Sequence, residues 1–392
     1  MNNKPSTFLF FGLTTLNSLP QRELGIALEL AKRYDAVHYI ELPSSTIGWL
    51  RNVYDRLFRP TTIDIKKSVK SLPDNFHVHV PPPVPTSLRT SLTPQLDRMI
   101  FRRWFRDELG QLDLADCVAW IMLPLWWKWY IDRSFFKPQL ICYDIADNLE
   151  VFCRTKTAYK RMEYAHHLLL KEADMAFYSA RGMKEHLEAV SSIEAHYLPN
   201  ALANGFIDLA DDEEYTLPKN NTIGFVGYFD DRWIDMELIE RIIKEFRNNP
   251  IVLAGPMEQK YADRFGKYEN VSMPGFISHS EITGYMKDFR VSMIPFRQNE
   301  ITEVVNPLKL YEYSAAGLPV VAMSTPELSY YDDIISLAQD HETFIAQVKS
   351  ALTQDDRAEW LRRKEFAKSN TWKGRIDTFT SMMDTHLEAR TR

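Results

Sequence analysis

The sequence predicts an α/β protein of two doubly wound domains, one after the other along 392 residues. Three observations carry this expectation. The length suits two domains of ordinary size. A structural unit occurs twice: TFLFF runs into Gly12, a polar loop and the helix-like RELGIALELAKRY, and TIGFV runs into Gly227, the loop YFDDRW and IDMELIERIIKEF. An apolar strand, a glycine turn and an amphipathic helix open a doubly wound domain. Finally, strand-like runs alternate with helical patterns after each unit, which implies mostly parallel sheets covered by helices.

The remaining elements follow in order. In the first half, VHYIEL, VAWIML, LICYDI, MAFYS and HYLPN read as strands. His77 and His79 alternate along another strand-like segment and share a face. No carboxylate or cysteine stands near them in sequence, so they read as structural, and the neighbours His166 and His167 point apart on a helix and make no metal pair. In the second half, IVLAG, VSMPG, VSMIPF and PVVAM read as strands. The stretch 200–221, NALANGFIDLADDEEYTLPKNN, is polar, acidic and rich in turn residues, and marks the boundary. The domains are expected at 1–205 and 206–370, with a helix over 371–392 returning to the first domain. Two such domains face a cleft at the carboxyl ends of their strands, where ligands bind.

Composition narrows the class. Hydrophobic residues make up 45% and charged residues 26%, as in a soluble globular protein. Three cysteines show neither zinc-site nor disulfide spacing, which points to a reducing compartment. The N-terminus does not read as a signal peptide and no run reaches the roughly 18–20 apolar residues of a membrane span, so a cytoplasmic location is expected. Net charge is −6, yet residues 47–106 hold eleven Lys/Arg against four Asp, interleaved with aromatics. Together with the aromatic run PLWWKWYIDRSFF at 124–136, this basic stretch is a candidate face for an anionic membrane, and core packing is the plainer reading of the aromatic run. Nucleic acid is not expected as a partner, since the chain is acidic and carries no nucleic-acid motif.

The stretch NPLKLYEYSAAGLPVVA, 306–322, holds the most chemical information. Asn306 suits a helix cap and Pro307 the first helical position. The backbone N–H groups of Leu308, Lys309 and Leu310 then form a site for a phosphate or diphosphate, and Lys309 adds a full positive charge. Glu312, one turn on, is placed to accept hydrogen bonds from a vicinal diol such as a ribose. A phosphate site beside a diol acceptor describes a nucleotide. A capped helix with a surface Lys–Glu pair is the alternative.

At these residues the sequence resembles GT-B glycosyltransferases of the family 4 type, and within them bacterial cell-surface polysaccharide transferases of the teichuronic-acid type. YIELP, ICYDIADNLEVF, EADMAFYSARGMKEHL, YLPNALANGFI, IGFVGYFDDRWIDMELI, VLAGPM, NVSMPGFISHSEITGYM and NTWKGR fall in that family's order. The resemblance implies two Rossmann-like domains, a nucleotide-sugar donor in the second, a glycan or polyprenyl-linked sugar acceptor in the first, and transfer that retains anomeric configuration. It implies that Glu312 binds the donor ribose and that the backbone of Pro307, Leu308 and Leu310 holds the diphosphate. Gly275 and Phe276 would meet the base, Arg232 would be a second phosphate contact, and Gly227 would line the donor loop. A UDP-sugar is the expected donor, with a GDP-sugar second. The family often carries another glutamate eight positions before the ribose glutamate, touching the donor sugar, where this chain has Val304; Glu303 or Glu300 could serve in its place if the loop is rebuilt, or the sugar contact comes from elsewhere.

Breaking a glycosyl–phosphate bond requires stabilising the departing diphosphate, here by a helix N-terminus, Lys309 and Arg232. The chain has no Asp-x-Asp, so a metal-bridged diphosphate is not expected and no cofactor is required. Asp144 and Asp147, at the end of an apolar strand, are the acceptor-side candidates; Asp147 would orient the acceptor or act as base, or else cap the next helix, and Asp144 could instead anchor the loop. The loop 12–21, with Gly12, Thr14, Asn17 and Gln21, is where the resemblance places the acceptor. Two rivals stay open: a GT-B nucleotide-sugar epimerase, and a non-catalytic nucleotide- or glycan-binding subunit of a polysaccharide complex.

Overall fold

The computed structural model describes residues 4–13, 22–46, 72–85, 94–153, 155–215, 218, 220–277, 279–353 and 356–391. The chain divides into two compact units, residues 1–199 with 376–392, and residues 200–375.

The first unit is a seven-stranded parallel sheet. In chain order its strands are β1 (Thr7–Phe11), β2 (Ala36–Ile40), β3 (Phe76–His79), β4 (Cys117–Ile121), β5 (Leu140–Ile145), β6 (Met175–Tyr178) and β7 (Ala195–Tyr197). They lie side by side as β3-β2-β1-β4-β5-β6-β7. The order reverses between β1 and β4, the topological switch point of a doubly wound sheet. β1, β4, β5 and β6 are buried along nearly their whole length, because helices cover both faces of such a sheet. Aromatic rings fill one side. Tyr39, Phe10, Trp120 and Phe177 stack in succession at 5.6–5.8 Å between centroids. Phe379, from the last helix (Trp372–Thr391), sets its edge against Trp120 at 4.8 Å. That contact, with the Arg33–Asp377 and Arg390–Asp174 ion pairs at 2.9 and 2.8 Å, fastens residues 376–392 to this unit.

The second unit is a six-stranded parallel sheet of β8 (Thr222–Val226), β9 (Ile251–Ala254), β10 (Val271–Gly275), β11 (Phe289–Ile294), β12 (Val320–Met323) and β13 (Ser336–Ala338), ordered β10-β9-β8-β11-β12-β13. Its switch point falls between β8 and β11. The helix Met236–Glu245 buries Leu238, Ile239, Ile242 and Ile243, the i, i+3, i+4 stripe of its sequence, in a core with Phe225, Leu253 and Met293. A second core on the other face gathers Val226, Phe289, Leu310, Tyr311 and Tyr313. The strand at 336–338 is the element that the alternation in the sequence did not show. With three residues at the sheet's edge, it is too short for a periodic pattern.

Candidate functional site

In the second unit, glycine follows β8 and β9 directly, as Gly227 and Gly255, and ends β10 as Gly275. The Gly227 N–H donates to the Ala254 carbonyl at 2.9 Å and the Gly255 N–H to the Gly275 carbonyl at 2.8 Å. Gly255 has φ +133°, and a Cβ there would lie 1.8 Å from the Gly227 oxygen, so no other residue fits. The result is a shelf of bare backbone at the carboxyl ends of β8, β9 and β10, beside the switch point where open parallel sheets bind ligands.

The helix Leu308–Ala315 approaches the same edge. Its Tyr313 hydroxyl accepts the Val226 N–H at 2.9 Å, tying the helix to the end of β8. Burial pushes the Tyr313 hydroxyl's pKa far up, so it stays protonated. The helix start differs from the sequence expectation. Pro307, with φ −77° and ψ 130°, stands outside the helix, and no side chain caps the first turn. Asn306 is not the cap: its side chain is buried and bonds Glu327 and Tyr331 instead. The Leu310 N–H is also spoken for, donating to the Pro307 carbonyl at 3.1 Å, and its side chain is in the core, which leaves the Leu308 and Lys309 amides as the first-turn candidates for an anion. Lys309 Nζ donates to Glu312 Oε2 at 2.6 Å. Glu312 is no surface residue: its side chain is 4% exposed, against 24% for Lys309. A buried carboxylate held one turn inside a helix start is an unusual expense unless it is used.

Around this edge two sequence candidates point elsewhere. Arg232 is engaged by Asp230, with Nε–Oδ1 3.0 Å and Nη2–Oδ2 2.8 Å, and lies over the Trp233 ring at 4.8 Å. That pairing holds Asp230 below its ordinary carboxylate range despite partial burial. Arg232 is therefore a loop-fixing residue here, and phosphate would have to displace Asp230. In the loop after β11, Asn299 Oδ1 accepts the N–H groups of Ile301 and Thr302, both at 3.1 Å, closing a tight turn. The turn buries Thr302 and Val304 and leaves Glu303 and Glu300 exposed. Glu303 thus faces solvent, while Val304, at the position expected to hold a glutamate, is buried. Phe276, just past the glycine shelf, is partly buried.

In the first unit, the carboxyl ends of β1, β4 and β5 come together. Asp144 is fully buried and accepts from Arg22 (Nε–Oδ2 2.9 Å, Nη2–Oδ1 2.8 Å) and from Trp120 Nε1 at 3.2 Å. Enclosed in this way it is an anchor, and the candidate catalytic role given to it does not fit its geometry. Asp147 is different. The residue as a whole is half-buried but its carboxyl group is enclosed, and no described residue hydrogen-bonds that carboxylate. Burial pushes that carboxyl up to about 7; the Arg22 charge opposes the rise and the Asp144 charge adds to it. Nor does it cap the following helix: Asn148 does, accepting the Glu150 N–H at 2.9 Å.

Gly12 has a packing reason for lacking a side chain, since a Cβ would lie 2.6 Å from the Tyr39 hydroxyl. Its carbonyl accepts from Trp126 Nε1 at 2.8 Å. Thr14, Asn17 and Gln21 lie outside the described residues, as does the basic stretch at 47–71 and 86–93. The aromatic run at 124–136 is core: Trp126 and Trp127 are fully buried, while Arg98 and Arg102 bond the carbonyls of Trp129 and Tyr130 at 3.1 and 2.9 Å. His77 and His79 gain partners that sequence distance concealed. His38 Nδ1 lies 2.9 Å from His79 Nε2, whose Nδ1 lies 3.1 Å from Glu108. Burial pushes His38 down to about 4, and the neighbouring imidazoles add to the fall. No described group of His, Cys, Asp and Glu has the arrangement of a metal site.

Comparison with known proteins finds relatives for both the second unit and the fold. Residues 220–354 match the family described as "Glycosyl transferases group 1". This segment is similar to a group 1 glycosyl transferase domain. It contains the glycine shelf, the loop after β11 and the Lys309–Glu312 helix. TuaH of Bacillus subtilis (strain 168), provisionally named a teichuronic acid biosynthesis glycosyltransferase, is 31% identical over 110 residues, 26% of this chain and 27% of its own length. The chain therefore aligns with about a quarter of that relative. Among solved structures, sucrose-phosphate synthase from Thermosynechococcus elongatus superimposes with a TM-score of 0.68 at 12% identity, covering 98% of this chain and 100% of that one. WaaG, a glycosyltransferase of lipopolysaccharide biosynthesis, gives 0.61 at 14% identity over 96% and 99%. An E. coli trehalose-6-phosphate protein bound with UDP-2-fluoro glucose gives 0.64 at 12% over 96% and 98%. At these identities the likeness is one of fold, and the fold is GT-B.

Proposed function

We propose that the protein transfers a sugar from a nucleotide-sugar, with UDP as the expected nucleotide, to a glycan acceptor in cell-surface polysaccharide synthesis. The observation that carries this reading is the buried Glu312 held beside Lys309 at an uncapped helix start. The Leu308 and Lys309 amides and the Lys309 ammonium suit a departing diphosphate, whose negative charge they would stabilise as the glycosyl bond breaks. One Glu312 oxygen is bonded to Lys309; the carboxylate's remaining capacity suits the ribose diol. The glycine shelf lets a planar base approach the backbone near Gly275 and Phe276. Asp147, with its raised pKa, would accept the acceptor hydroxyl's proton or hold that hydroxyl in place, and anomeric configuration would be retained. The likeness to TuaH supports a polysaccharide acceptor. The charge of residues 47–106 supports a polyprenyl-linked one, met at the cytoplasmic face of an anionic membrane.

The test is turnover. UDP-sugars are supplied with and without a polyprenyl-diphosphate-linked sugar acceptor, and products are separated by mass. Acceptor-dependent loss of the sugar supports transfer. Conversion of the donor without acceptor would instead identify an epimerase, and neither outcome would leave a binding subunit. Co-sedimentation with vesicles containing about one-third anionic lipid tests the membrane contact separately. Protein remaining in the supernatant at low salt refutes it.

A further inference from the structure

Asn306 stands immediately before the proposed donor-binding turn, and its surroundings give it more than a packing role. The residue is 2% exposed. Its Oδ1 accepts the Tyr311 hydroxyl at 3.0 Å and the Asn200 N–H at 3.2 Å. Its Nδ2 donates to Glu327 Oε1 at 2.9 Å and to the Tyr331 hydroxyl at 3.1 Å. Its carbonyl accepts Asn200 Nδ2 at 2.5 Å. The side-chain amide has two donors and two acceptor sites, and every one is used. Its orientation is also forced: a backbone N–H can only donate, and a carboxylate such as the fully buried Glu327 accepts.

Four segments of the second unit meet here. Asn200 is the unit's first residue. Tyr311 belongs to the helix, while Glu327 and Tyr331 follow β12. Asn200 is tied in turn to the unit's last residues: its carbonyl accepts Arg375 Nη2 at 3.4 Å, and two residues on the Leu202 N–H donates to the Asn370 carbonyl at 2.8 Å.

A helix start is ordinarily fixed by a side chain that accepts first-turn N–H groups. That arrangement would occupy the groups an anionic ligand needs, and here no side chain does so. We infer that Asn306 is a positioning residue for the nucleotide-sugar, an inference that rests on the donor reading above. It fixes the helix start from behind, through the ring-locked Pro307, and so keeps the Leu308 and Lys309 amides in place while leaving them to the ligand. Asn306 does not touch the ligand.

The experiment uses the full chain and the nucleotide that the wild type binds best among UDP, GDP, CMP and ADP. Asn306→Asp keeps both acceptor bonds but sets a second carboxylate against Glu327. Calorimetric affinity is measured well below the thermal midpoint, with near-UV circular dichroism to confirm packing. The expected result is affinity weakened about tenfold or more, the scale of displacing a turn held by buried hydrogen bonds. Tyr331→Phe removes a single hydroxyl and serves where the first variant fails to fold; it is expected to weaken affinity about threefold. As a control, Phe344→Leu lowers the thermal midpoint from a core away from this cluster and should leave affinity unchanged. A lowered midpoint with unchanged affinity in folded Asn306→Asp or Tyr331→Phe would make Asn306 structural only and overturn the inference. Absence of nucleotide binding by the wild type would instead fail the donor reading, and this inference with it.

Discussion

Arg22→Met tests the anchor in the first unit. Arg22 is almost wholly buried and Asp144 wholly so, and the guanidinium supplies most of the carboxylate's hydrogen bonds, leaving Trp120 Nε1 at 3.2 Å as the other. Removing one partner of a buried pair leaves an uncompensated charge, which costs about 3–5 kcal/mol. Methionine fills most of the arginine stem's volume, so little of that loss is cavity. Urea unfolding followed by far-UV circular dichroism should therefore show the first unit's transition shifted by that amount. Arg22→Met combined with Asp144→Leu should recover most of the loss, because replacing both charges by apolar groups removes the desolvation cost as well. A single-variant loss below about 1 kcal/mol would refute the reasoning, as would a double variant no more stable than the single one.

Other predictions follow from particular groups. Asp147 has a folded pKa near 7, above its unfolded value, so its contribution to stability is fully present below about pH 4 and is lost as pH rises toward 7. Asp147→Asn should thus gain stability relative to the wild type across that window in pH-dependent unfolding, and a flat difference would remove the raised pKa. If Asp147 is the base, transfer by the wild type should also rise with pH through about 7, and the variant should lose both rate and dependence. Gly255→Ala should lower the thermal midpoint and abolish nucleotide binding, since its Cβ would collide with the Gly227 oxygen. Gly284→Ala, exposed inside the helix His279–Lys287 with open space around its Cβ, should raise stability by about 0.4–1 kcal/mol in the same assay.

Both sheets were legible because parallel strands buried on two faces leave long apolar runs, and a repeated strand–glycine–helix unit marks where each sheet begins. LICYDI became β5 without a change of boundary, and VSMPG became β10. The helix Leu308–Ala315 was legible from Pro307 and the Lys–Glu spacing. Its cap was not, because Asn306 suits a cap by type while Glu327 and Tyr331, 21 and 25 residues away, claim its side chain. Distance along the chain likewise hid Arg22 from Asp144 and Glu108 from His79. For Arg232 the partner was adjacent in sequence, and the spacing Asp230-x-Arg232 could have signalled the pairing. A tight turn reverses side-chain directions within one residue, which is why Glu303 looked usable and proves to be exposed while Val304 is buried.

On the proposed reading, the start of the helix Leu308–Ala315 holds a nucleotide diphosphate with Glu312 on its ribose. The direct measurement is calorimetric titration with UDP, GDP, CMP and ADP, without metal, on the wild type and on Glu312→Ala. The wild type is expected to bind one of these, UDP foremost, and the variant to lose roughly 1.5–3 kcal/mol of affinity, the range for hydrogen bonds to a charged group. Binding of that nucleotide with equal affinity by both proteins, or by neither, would contradict that reading.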